Sequence, residues 1–500
     1  MSRRQLLTLV ATILGSTVVF LDSTVVNVAL PAISEGLDAG LSGQQWVVEA
    51  YMLTMVSLLL VGGSLGDQFG RRRVFVIGLV AFGVTSALCA VAPTVEFLVA
   101  ARALQGVAGA LLVPGSLAIV AATFEGAARG KAVGTWTAWT GIATVIGPAG
   151  GGALVGLTSW RAIFWVNLPL IAATAALTLH AVEESRDPDA FRGIDWGGIG
   201  LSAVGLGGPV YALIEQPDRG WGDPLVWVPL LVGVASFALF VVHEARARHP
   251  MMDLGLFRIR NFAVANLTTL SAYAGLIGGL FFVGLFLQQV SGYSPLEAGL
   301  ATTPISVLLF VLSPRWGKLA SGTGPRLPMT LGPIVGGLGL LLMLRVGADG
   351  EYVTEVLPAI LVFGLGLSAT VAPLTATVLD SVEERHVGIA SGINNGVSRV
   401  AGLLAIAILG AVISARFAAI AGDVAGGPLT SQAAAASTSA FHLGILIAAL
   451  LMVLGGIASG LGIENPSRRT EAIPNRGSAQ AGECGHSADC DEASPVPVPD

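Results

Sequence analysis

The chain has 500 residues, of which 53% are hydrophobic and only 12% are charged, and its mean hydropathy is +0.77. A soluble domain usually carries about 25% charged residues, so the composition excludes an ordinary water-soluble protein. The formal net charge of −6 indicates little, because the positions of the charges matter more than their sum. Three cysteines, of which only Cys89 lies in an apolar run, exclude a disulfide scaffold.

Fourteen stretches are apolar enough to cross a membrane, which takes about 20 residues as a helix. The first stretch follows Arg3 and Arg4 like a signal peptide, but it is too long for one and contains Asp22. The predicted fold is therefore an all-α integral membrane protein. In chain order the predicted spans are 6–30, 43–65, 74–93, 96–121, 131–156, 162–182, 194–214, 224–243, 264–290, 296–314, 329–345, 354–379, 387–413 and 439–462.

The basic residues test this count independently, because the cytoplasmic segments of membrane proteins carry the excess of Lys and Arg. With the N-terminus placed inside, the cytoplasmic segments hold 20 of the 26 basic residues and the outer segments hold 4. The other two, Arg102 and Arg399, lie within spans. Adding or removing one span would invert every later segment and spoil the asymmetry, so we predict fourteen spans with both termini in the cytoplasm.

An internal repeat relates two parts of the chain. Segment 63–72 has the pattern Gly-x-Leu-x-Asp-x-x-Gly-x-Arg, and segment 317–326, which lies 254 residues further on, repeats it with Ser321 in place of Asp67. Many secondary transporters use duplicated halves to form two gates around one central site. We therefore predict a six-helix half at 1–182, two inserted helices with a linker at 183–263, a second six-helix half at 264–462 and a disordered cytoplasmic tail at 463–500.

Three charged residues lie inside predicted spans of the first half: Asp22, Glu49 and Arg102. Charges within a membrane are costly and usually face a cavity or a partner. Because span 1 runs outward while spans 2 and 4 run inward, the three side chains can share one depth. An arginine that stays protonated can keep one carboxylate ionised, while the other binds and releases a proton. A structural ion pair is an alternative for Asp22 and Arg102, and Glu49 also fits a position near the outer surface.

The second half offers one comparable residue. Arg399 lies in the middle of span 13 beside Asn394 and Asn395, where it can face the path of a substrate or pair with a carboxylate. The histidines are scattered along the chain, so no metal site is predicted. An intramembrane enzyme would need clustered acids or histidines, and Asp22 and Glu49 lie on different spans, so no catalytic residues are predicted.

The loop between spans 2 and 3 combines glycines, an acid and arginines. Gly63 and Gly70 allow two helix ends to approach through a tight turn. Asp67 can pair with Arg71 or Arg72, or meet the positive end of a neighbouring helix. An ordinary basic cytoplasmic loop is the alternative, but it would need neither the acid nor the glycines.

Span 5 has two small faces. Gly147 and Gly151 share one helical face, and Gly152 shares another with Gly156. Small faces let helices pack closely in lipid, and Pro148 removes a backbone hydrogen bond and can kink the helix. A packing interface with no further role is the alternative.

Five segments together resemble the major facilitator superfamily, and within it the fourteen-span family of drug–proton antiporters. The family's loop 2–3 signature is matched by 63–73 (GSLGDQFGRRR), with Gln68 where the family usually has a basic residue. Its first-helix signature is matched by 21–31 (LDSTVVNVALP), which includes Asn27. Further matches are the fourth-helix motif at 102–106 (RALQG), the antiporter motif at 147–152 (GPAGGG) and the hallmark at 160–169 (WRAIFWVNLP).

The resemblance implies roles for these residues. Gly63, Asp67, Gly70, Arg71 and Arg72 would form a gating loop that latches one state of the transporter. The antiporter motif would seal the interface between the halves, as a hinge made of Gly147, Pro148, Gly151 and Gly152. Proton coupling and the substrate cavity would involve Asp22, Asn27, Glu49, Arg102 and Arg399.

The expected function is export of a small amphipathic or hydrophobic compound, such as a drug, antibiotic or toxic metabolite, in exchange for protons. The chain has no GxxxxGK[ST] loop for ATP, so the proton gradient would supply the energy and no cofactor is expected. A proton-coupled importer of a nutrient or lipid is the alternative in the same class, and Gly147 and Pro148 argue against it. We expect a monomer in the inner membrane of a bacterium, surrounded by lipid and without a nucleic-acid partner.

Overall fold

The computed structural model describes residues 1–186, 195–247, 252–383, 386–421 and 431–465. Most of the predicted tail at 463–500 lies outside these ranges. Within them the chain forms helices joined by short segments, and no β-strand occurs in the described parts.

The described residues form fifteen α-helices. The first half consists of α1 (Arg3–Leu37), α2 (Leu41–Phe69), α3 (Arg71–Ala90), α4 (Val95–Thr123), α5 (Gly126–Leu157), α6 (Ala162–Trp165) and α7 (Asn167–Ala181). A hairpin of α8 (Trp196–Arg219) and α9 (Pro224–Arg246) follows. The second half consists of α10 (Arg260–Gln289), α11 (Pro295–Thr323), α12 (Arg326–Leu342), α13 (Leu357–Asp380), α14 (Val387–Ala421) and α15 (Ser431–Gly462).

Thirteen helical segments of the described chain are long and apolar enough to cross a membrane, and α6 and α7 together form one of them, Ala162–Ala181. The fourteenth is α2, whose two arms meet at an angle of 51° between Leu59 and Val61 and count as a single span. With α2 counted as one span, the predicted all-α membrane fold with fourteen spans is confirmed.

The helices extend beyond the apolar runs from which they were predicted, because polar residues cap their ends. α1 was predicted over 6–30 but covers Arg3–Leu37. The hydroxyl of Ser2 accepts a hydrogen bond from the backbone N–H of Gln5, whose side chain accepts one from Ser2 in return. A helix of 35 residues is about 50 Å long, so α1 reaches past a hydrocarbon layer of about 30 Å.

The connections define two ends of the bundle. The base is the end that holds Arg4, Gly70 and Asn465, and the top is the opposite end, which holds Trp160 and Pro295. At the base, the guanidinium of Arg4 donates to the carbonyl of Ala181 at the end of α7, with N···O 3.0 Å. A cation is favoured there by the negative end of the helix dipole, so this bond ties the first helix of the half to its last.

The hairpin lies against the line where the two halves meet. Its helix α8 packs on α2 of the first half and on α14 of the second. The indole N–H of Trp46 on α2 donates to a carboxylate oxygen of Glu215 on α8 at 3.0 Å. An apolar cluster joins the three helices, formed by Leu206, Val210 and Ile214 of α8, Leu403 and Ala407 of α14, and partly buried side chains of α2.

Candidate functional site

The structure joins Asp22 of α1 to Arg102 of α4 in an enclosed ion pair, with each side chain 1% exposed. A guanidinium nitrogen of Arg102 donates to Oδ2 of Asp22 at 2.5 Å. The other carboxylate oxygen accepts from the amides of Gln105 at 3.1 Å and Asn167 at 3.0 Å. Asp22 is therefore held by three donors from α4 and α7.

The arginine has further partners of its own. Its Nε donates to the carbonyl of Val47 at 3.0 Å, and Nη1 also donates to Oε1 of Gln105 at 2.8 Å. The ring of Tyr51 lies 4.2 Å from the guanidinium carbon, which is a cation–π distance. Removing one partner of such a buried pair costs about 3–5 kcal/mol, because the remaining charge is left without compensation.

Gln105 and Asn167 belong to this network, although the sequence analysis did not name them as site residues. Both lie inside segments that it quoted, since Gln105 is the fourth residue of RALQG and Asn167 the eighth of WRAIFWVNLP. An amide within an apolar helix needs a buried partner. The signal was therefore present, but nothing in the sequence showed that both amides point at Asp22.

Glu49 of α2 is enclosed but stands apart from this network. Its side chain is 0% exposed, and neither carboxylate oxygen has a hydrogen-bond partner among the residues that the structure describes. Arg102 bonds Asp22 and the carbonyl of Val47 instead. Of the three charges predicted to share one depth, the structure brings two into contact and leaves the third alone.

The two other predicted cavity residues, Asn27 and Arg399, also have few partners. The side-chain oxygen of Asn27 is buried and accepts no hydrogen bond within the described ranges. Arg399 of α14 reaches across to α2 of the first half, where Nη1 lies 3.6 Å from the sulfur of Met55. It forms no ion pair with any described carboxylate, and its neighbour Asn394 bonds Asn266 of α10 instead.

The loop that the sequence predicts to act as a gate forms a compact turn at the base. Of the partners considered for Asp67, the structure shows Arg71, whose Nη2 lies 2.8 Å from the carboxylate. Gly70 has a φ of +109°, a conformation that favours glycine. Gly63 lies on α2 with Pro114 of α4 as its near neighbour. Arg72 turns away from Asp67, and its side chain donates to the carbonyl of Val182.

Glu184 caps this loop, and the sequence analysis did not identify it. Its two carboxylate oxygens accept hydrogen bonds from the backbone N–H groups of Arg72 and Arg73, at 3.0 and 3.2 Å. Those N–H groups begin α3 and have no partner within the helix. An acid at this point is favoured by the helix dipole, so the segment after α7 holds the gating loop in place.

The glycines of the antiporter motif lie where α5 touches two other helices. A Cβ at Gly147 would come within 2.1 Å of the Thr24 hydroxyl on α1, and one at Gly151 within 2.7 Å of Val25. A Cβ at Gly152 would meet the carbonyl of Pro295 on α11 at 2.3 Å. Close approach therefore requires glycine at all three positions, and Gly152 contacts the opposite half.

The contact between α5 and α11 is reciprocal. A Cβ at Gly299 of α11 would lie 2.3 Å from the carbonyl of Pro148 on α5. Both contacts lie toward the top. Nearer the base, open space surrounds Gly130 and Gly134 of α5 and Gly322 of α11, where an added Cβ would meet nothing within 4 Å. Gly152 and Gly299 thus pack the two halves together at the top.

Three residues of metal-binding type meet where the hairpin reaches the base. Ligand atoms of Asp195, His243 and Glu244 lie within 4.8 Å of one another. The imidazole Nε2 is 2.9 Å from both oxygens of Asp195, and Glu244 accepts from the backbone N–H of Met252. Partial burial opposes ionisation of Asp195, but hydrogen bonds from Gly198 and His243 outweigh it and lower its pKa. The cluster ties α8 to α9, and the absence of a metal site stays a prediction.

Comparison with known proteins gives concordant matches. The chain matches the model of the Major Facilitator Superfamily over residues 12–406. It is 39% identical over 416 residues to the multidrug resistance protein Stp of Mycobacterium tuberculosis, which covers 83% of this chain and 77% of that protein. It is 34% identical over 410 residues to the tetracenomycin C resistance and export protein of Streptomyces glaucescens, covering 82% and 76%.

The fold is similar to that of a bacterial homolog of the human lysosomal transporter Spinster, crystallised in an inward-facing, unoccupied conformation. The TM-score is 0.64, with 92% of this chain and 97% of that chain covered. At 16% identity this likeness concerns the fold alone. The family match spans most of the chain, and the two relatives named above, at 39% and 34% identity, are a multidrug resistance protein and an antibiotic resistance and export protein. The chain therefore belongs to the Major Facilitator Superfamily.

Proposed function

We propose that this multi-pass membrane protein exports a small amphipathic or hydrophobic compound in exchange for protons. Relatives named for multidrug resistance and for export of tetracenomycin C support such a cargo and this direction. The observation that carries proton coupling is the set of enclosed charges, Asp22, Arg102 and Glu49, in helices that cross the membrane. Apolar helices need no charge to pack, so such residues mark ion or proton pathways.

The arrangement of the halves supports transport by alternating access. The top is held closed by the contacts of Gly152 and Gly299 between α5 and α11. A state in which the halves are in contact at one end is one of the two states that the mechanism requires. The glycine contacts are where the halves would separate to open the top. The proton gradient would drive the exchange, with no cofactor.

The base would face the cytoplasm, with both termini inside, in the inner membrane of a bacterium. The excess of Lys and Arg at the base supports this orientation. The state with a closed top would then be open to the cytoplasm, where an exporter loads its cargo. We propose that the transporter works as a monomer surrounded by lipid, with a small molecule and protons as its partners.

Accumulation of compounds in a pump-deficient bacterium tests the proposal. Cells that produce the transporter should retain less of at least one amphipathic dye or antibiotic than cells with an empty vector. An uncoupler should abolish the difference, because it removes the proton gradient. Uptake that rises with expression would instead favour an importer. Efflux that persists in the presence of the uncoupler would refute proton coupling.

A further inference from the structure

A second contact between the halves lies near the top, where α2 meets α14. The amide of Gln45 on α2 donates to the carbonyl of Ile406 on α14 at 2.8 Å. The side chain fits only because residue 410 is glycine, since a Cβ there would come within 1.9 Å of the amide nitrogen. Gln45 is 2% exposed, and α8 covers the outside of this contact. We call the contact between α2 and α14 the top seam.

Glu49 lies one helical turn below Gln45 and therefore on the same face of α2. The face that Gln45 presents to the second half thus continues into Glu49. This carboxyl group is fully enclosed, and neither of its oxygens finds a donor in the described parts of the chain. An acid without a partner has been buried at the top seam.

No neighbouring charge compensates this acid. Away from the base, the enclosed and half-buried ionisable side chains on the helices around α2 are engaged elsewhere. Asp22 and Arg102 bond each other, Cys89 bonds Gln105, Arg399 meets the sulfur of Met55, Glu215 bonds Trp46 and Arg219, and Tyr211 packs on the ring of Trp46. Tyr51 on α2 itself has its hydroxyl 3.5 Å from the carbonyl of Val19. None of these groups bonds Glu49 among the described residues.

The protonation state follows from this environment. A carboxylate ion without a partner is far less stable in a buried site than the neutral acid, because burial removes the water that solvates the charge. The closed top seam therefore requires a protonated Glu49. When the seam opens, water can reach the side chain and the carboxylate can exist as an ion.

We propose that Glu49 is the proton-binding residue of the top seam, and that the halves close over it only after it takes up a proton from the side that the top faces. A hydronium ion on that side loses one O–H bond and becomes water, the carboxylate gains the O–H bond, and the proton is enclosed as the seam closes. The carboxylate of Asp22, by contrast, accepts hydrogen bonds from three donors. The inference rests on the proposed proton-coupled transport and assigns its proton-dependent step to one residue.

Distance measurement across the seam tests the proposal without transport. Spin labels attached to Ser42→Cys on α2 and Ser414→Cys on α14 report seam closure in purified protein reconstituted in lipid nanodiscs. We replace the cysteines of the tail with serine, and Cys89 is buried. The wild-type protein should show the short distance at pH 5.5 and a growing long-distance population toward pH 8.5. One proton changes the ratio of closed to open seam by up to about tenfold per pH unit.

Three variants complete the experiment. Glu49→Gln mimics the neutral acid, so the short distance should persist at both pH values, and Glu49→Met should behave alike if the amide variant is unstable. Glu35→Gln removes an exposed acid of α1 and should keep the wild-type pH response. A seam in Glu49→Gln or Glu49→Met that still opens toward pH 8.5 would overturn the proposal. That result would leave the proposed function intact, since cells could still show proton-driven efflux. Efflux insensitive to an uncoupler would instead refute the proposed function, without by itself refuting the pH response of the seam.

Discussion

The first and last helices of each half are tied together at the base by the same bond. In the first half the guanidinium of Arg4 donates to the carbonyl of Ala181, and in the second half Arg260 donates to the carbonyl of Gly462 at 2.9 Å. In both cases a cation meets the negative end of a helix. The duplication seen in the sequence therefore preserves hydrogen-bond geometry as well as helix order.

A second pair of contacts is alike in position but different in charge. The backbone N–H of Arg72 at the start of α3 donates to the carboxylate of Glu184. The backbone N–H of Arg326, 254 residues further on, donates to the amide oxygen of Asn465 at 3.1 Å. A charged cap in the first half thus corresponds to a neutral cap in the second.

The contrast is larger inside the membrane. The first half holds the enclosed pair of Asp22 and Arg102, whereas the positions 254 residues further on are Leu276 and Val356, both part of an apolar cluster. The two halves therefore share a helix arrangement but differ in the charges enclosed within it. The shared contacts hold six helices together, whereas the enclosed ion pair is found in the first half.

The largest expected effect comes from removing the charge that distinguishes the first half. Asp22→Asn leaves Arg102 enclosed without a counter-charge, at a cost of about 3–5 kcal/mol. Proton-driven export should fall to the level of an empty vector, measured as dye efflux from energised membrane vesicles. Leu276→Asn is the control, because it places the same amide at a half-buried position on the first helix of the second half. That variant should retain most of the activity. Equal losses in both variants would show that the halves share the chemistry.

The next largest effect tests a contact to which each half contributes a glycine. Gly152→Ala would push a methyl group to 2.3 Å from the carbonyl of Pro295, and Gly299→Ala would do the same to Pro148. Either change should keep the top from closing and reduce the export rate at least tenfold, which corresponds to about 1.4 kcal/mol. Gly156→Ala on the same helix meets nothing within 4 Å and should export normally. Normal export by Gly152→Ala would show that the top closes elsewhere.

Much of the fold could be predicted from the sequence, because the length and spacing of apolar runs fix where a chain can cross a membrane. The ends could not be predicted as well. α1 was expected to begin at residue 6, but Ser2 and Gln5 cap it and extend it to Arg3. Such caps are local hydrogen bonds between polar residues and leave no trace in hydropathy.

The site was predictable in part. Asp22 and Arg102 stand out because charges are rare in apolar helices, and a common depth suggested that they meet. Depth along a helix does not determine which face a side chain occupies, so the isolation of Glu49 could not be foreseen. Glu184 was missed for another reason: it follows α7 in a polar segment, and only the folded chain brings it to the start of α3.

The charge of the caps should produce a smaller effect. Glu184→Gln keeps an acceptor for the N–H of Arg72 but removes the charge that the helix dipole favours, which is worth about 0.3–1 kcal/mol. Asn465→Asp should gain a similar amount at the start of α12. Thermal unfolding in detergent should therefore shift down for the first variant and up for the second, with both shifts shrinking at high salt. Shifts of the same sign would mean that packing, and not charge, sets the difference between the caps.

The smallest expected effect concerns the acid that the second loop lacks. Asp67 pairs with Arg71 four residues on, whereas the residue four positions after Ser321 is Pro325, which has no charge to offer. Ser321→Asp should therefore leave the thermal unfolding midpoint unchanged. Combining it with Pro325→Arg recreates the pair at the spacing that it has in the first loop, and a partly exposed pair of this kind is worth about 0.3–0.5 kcal/mol. If Ser321→Asp alone raised the unfolding midpoint, the new acid would have a partner other than residue 325. Asp67 in the first loop would then also interact with a group other than Arg71.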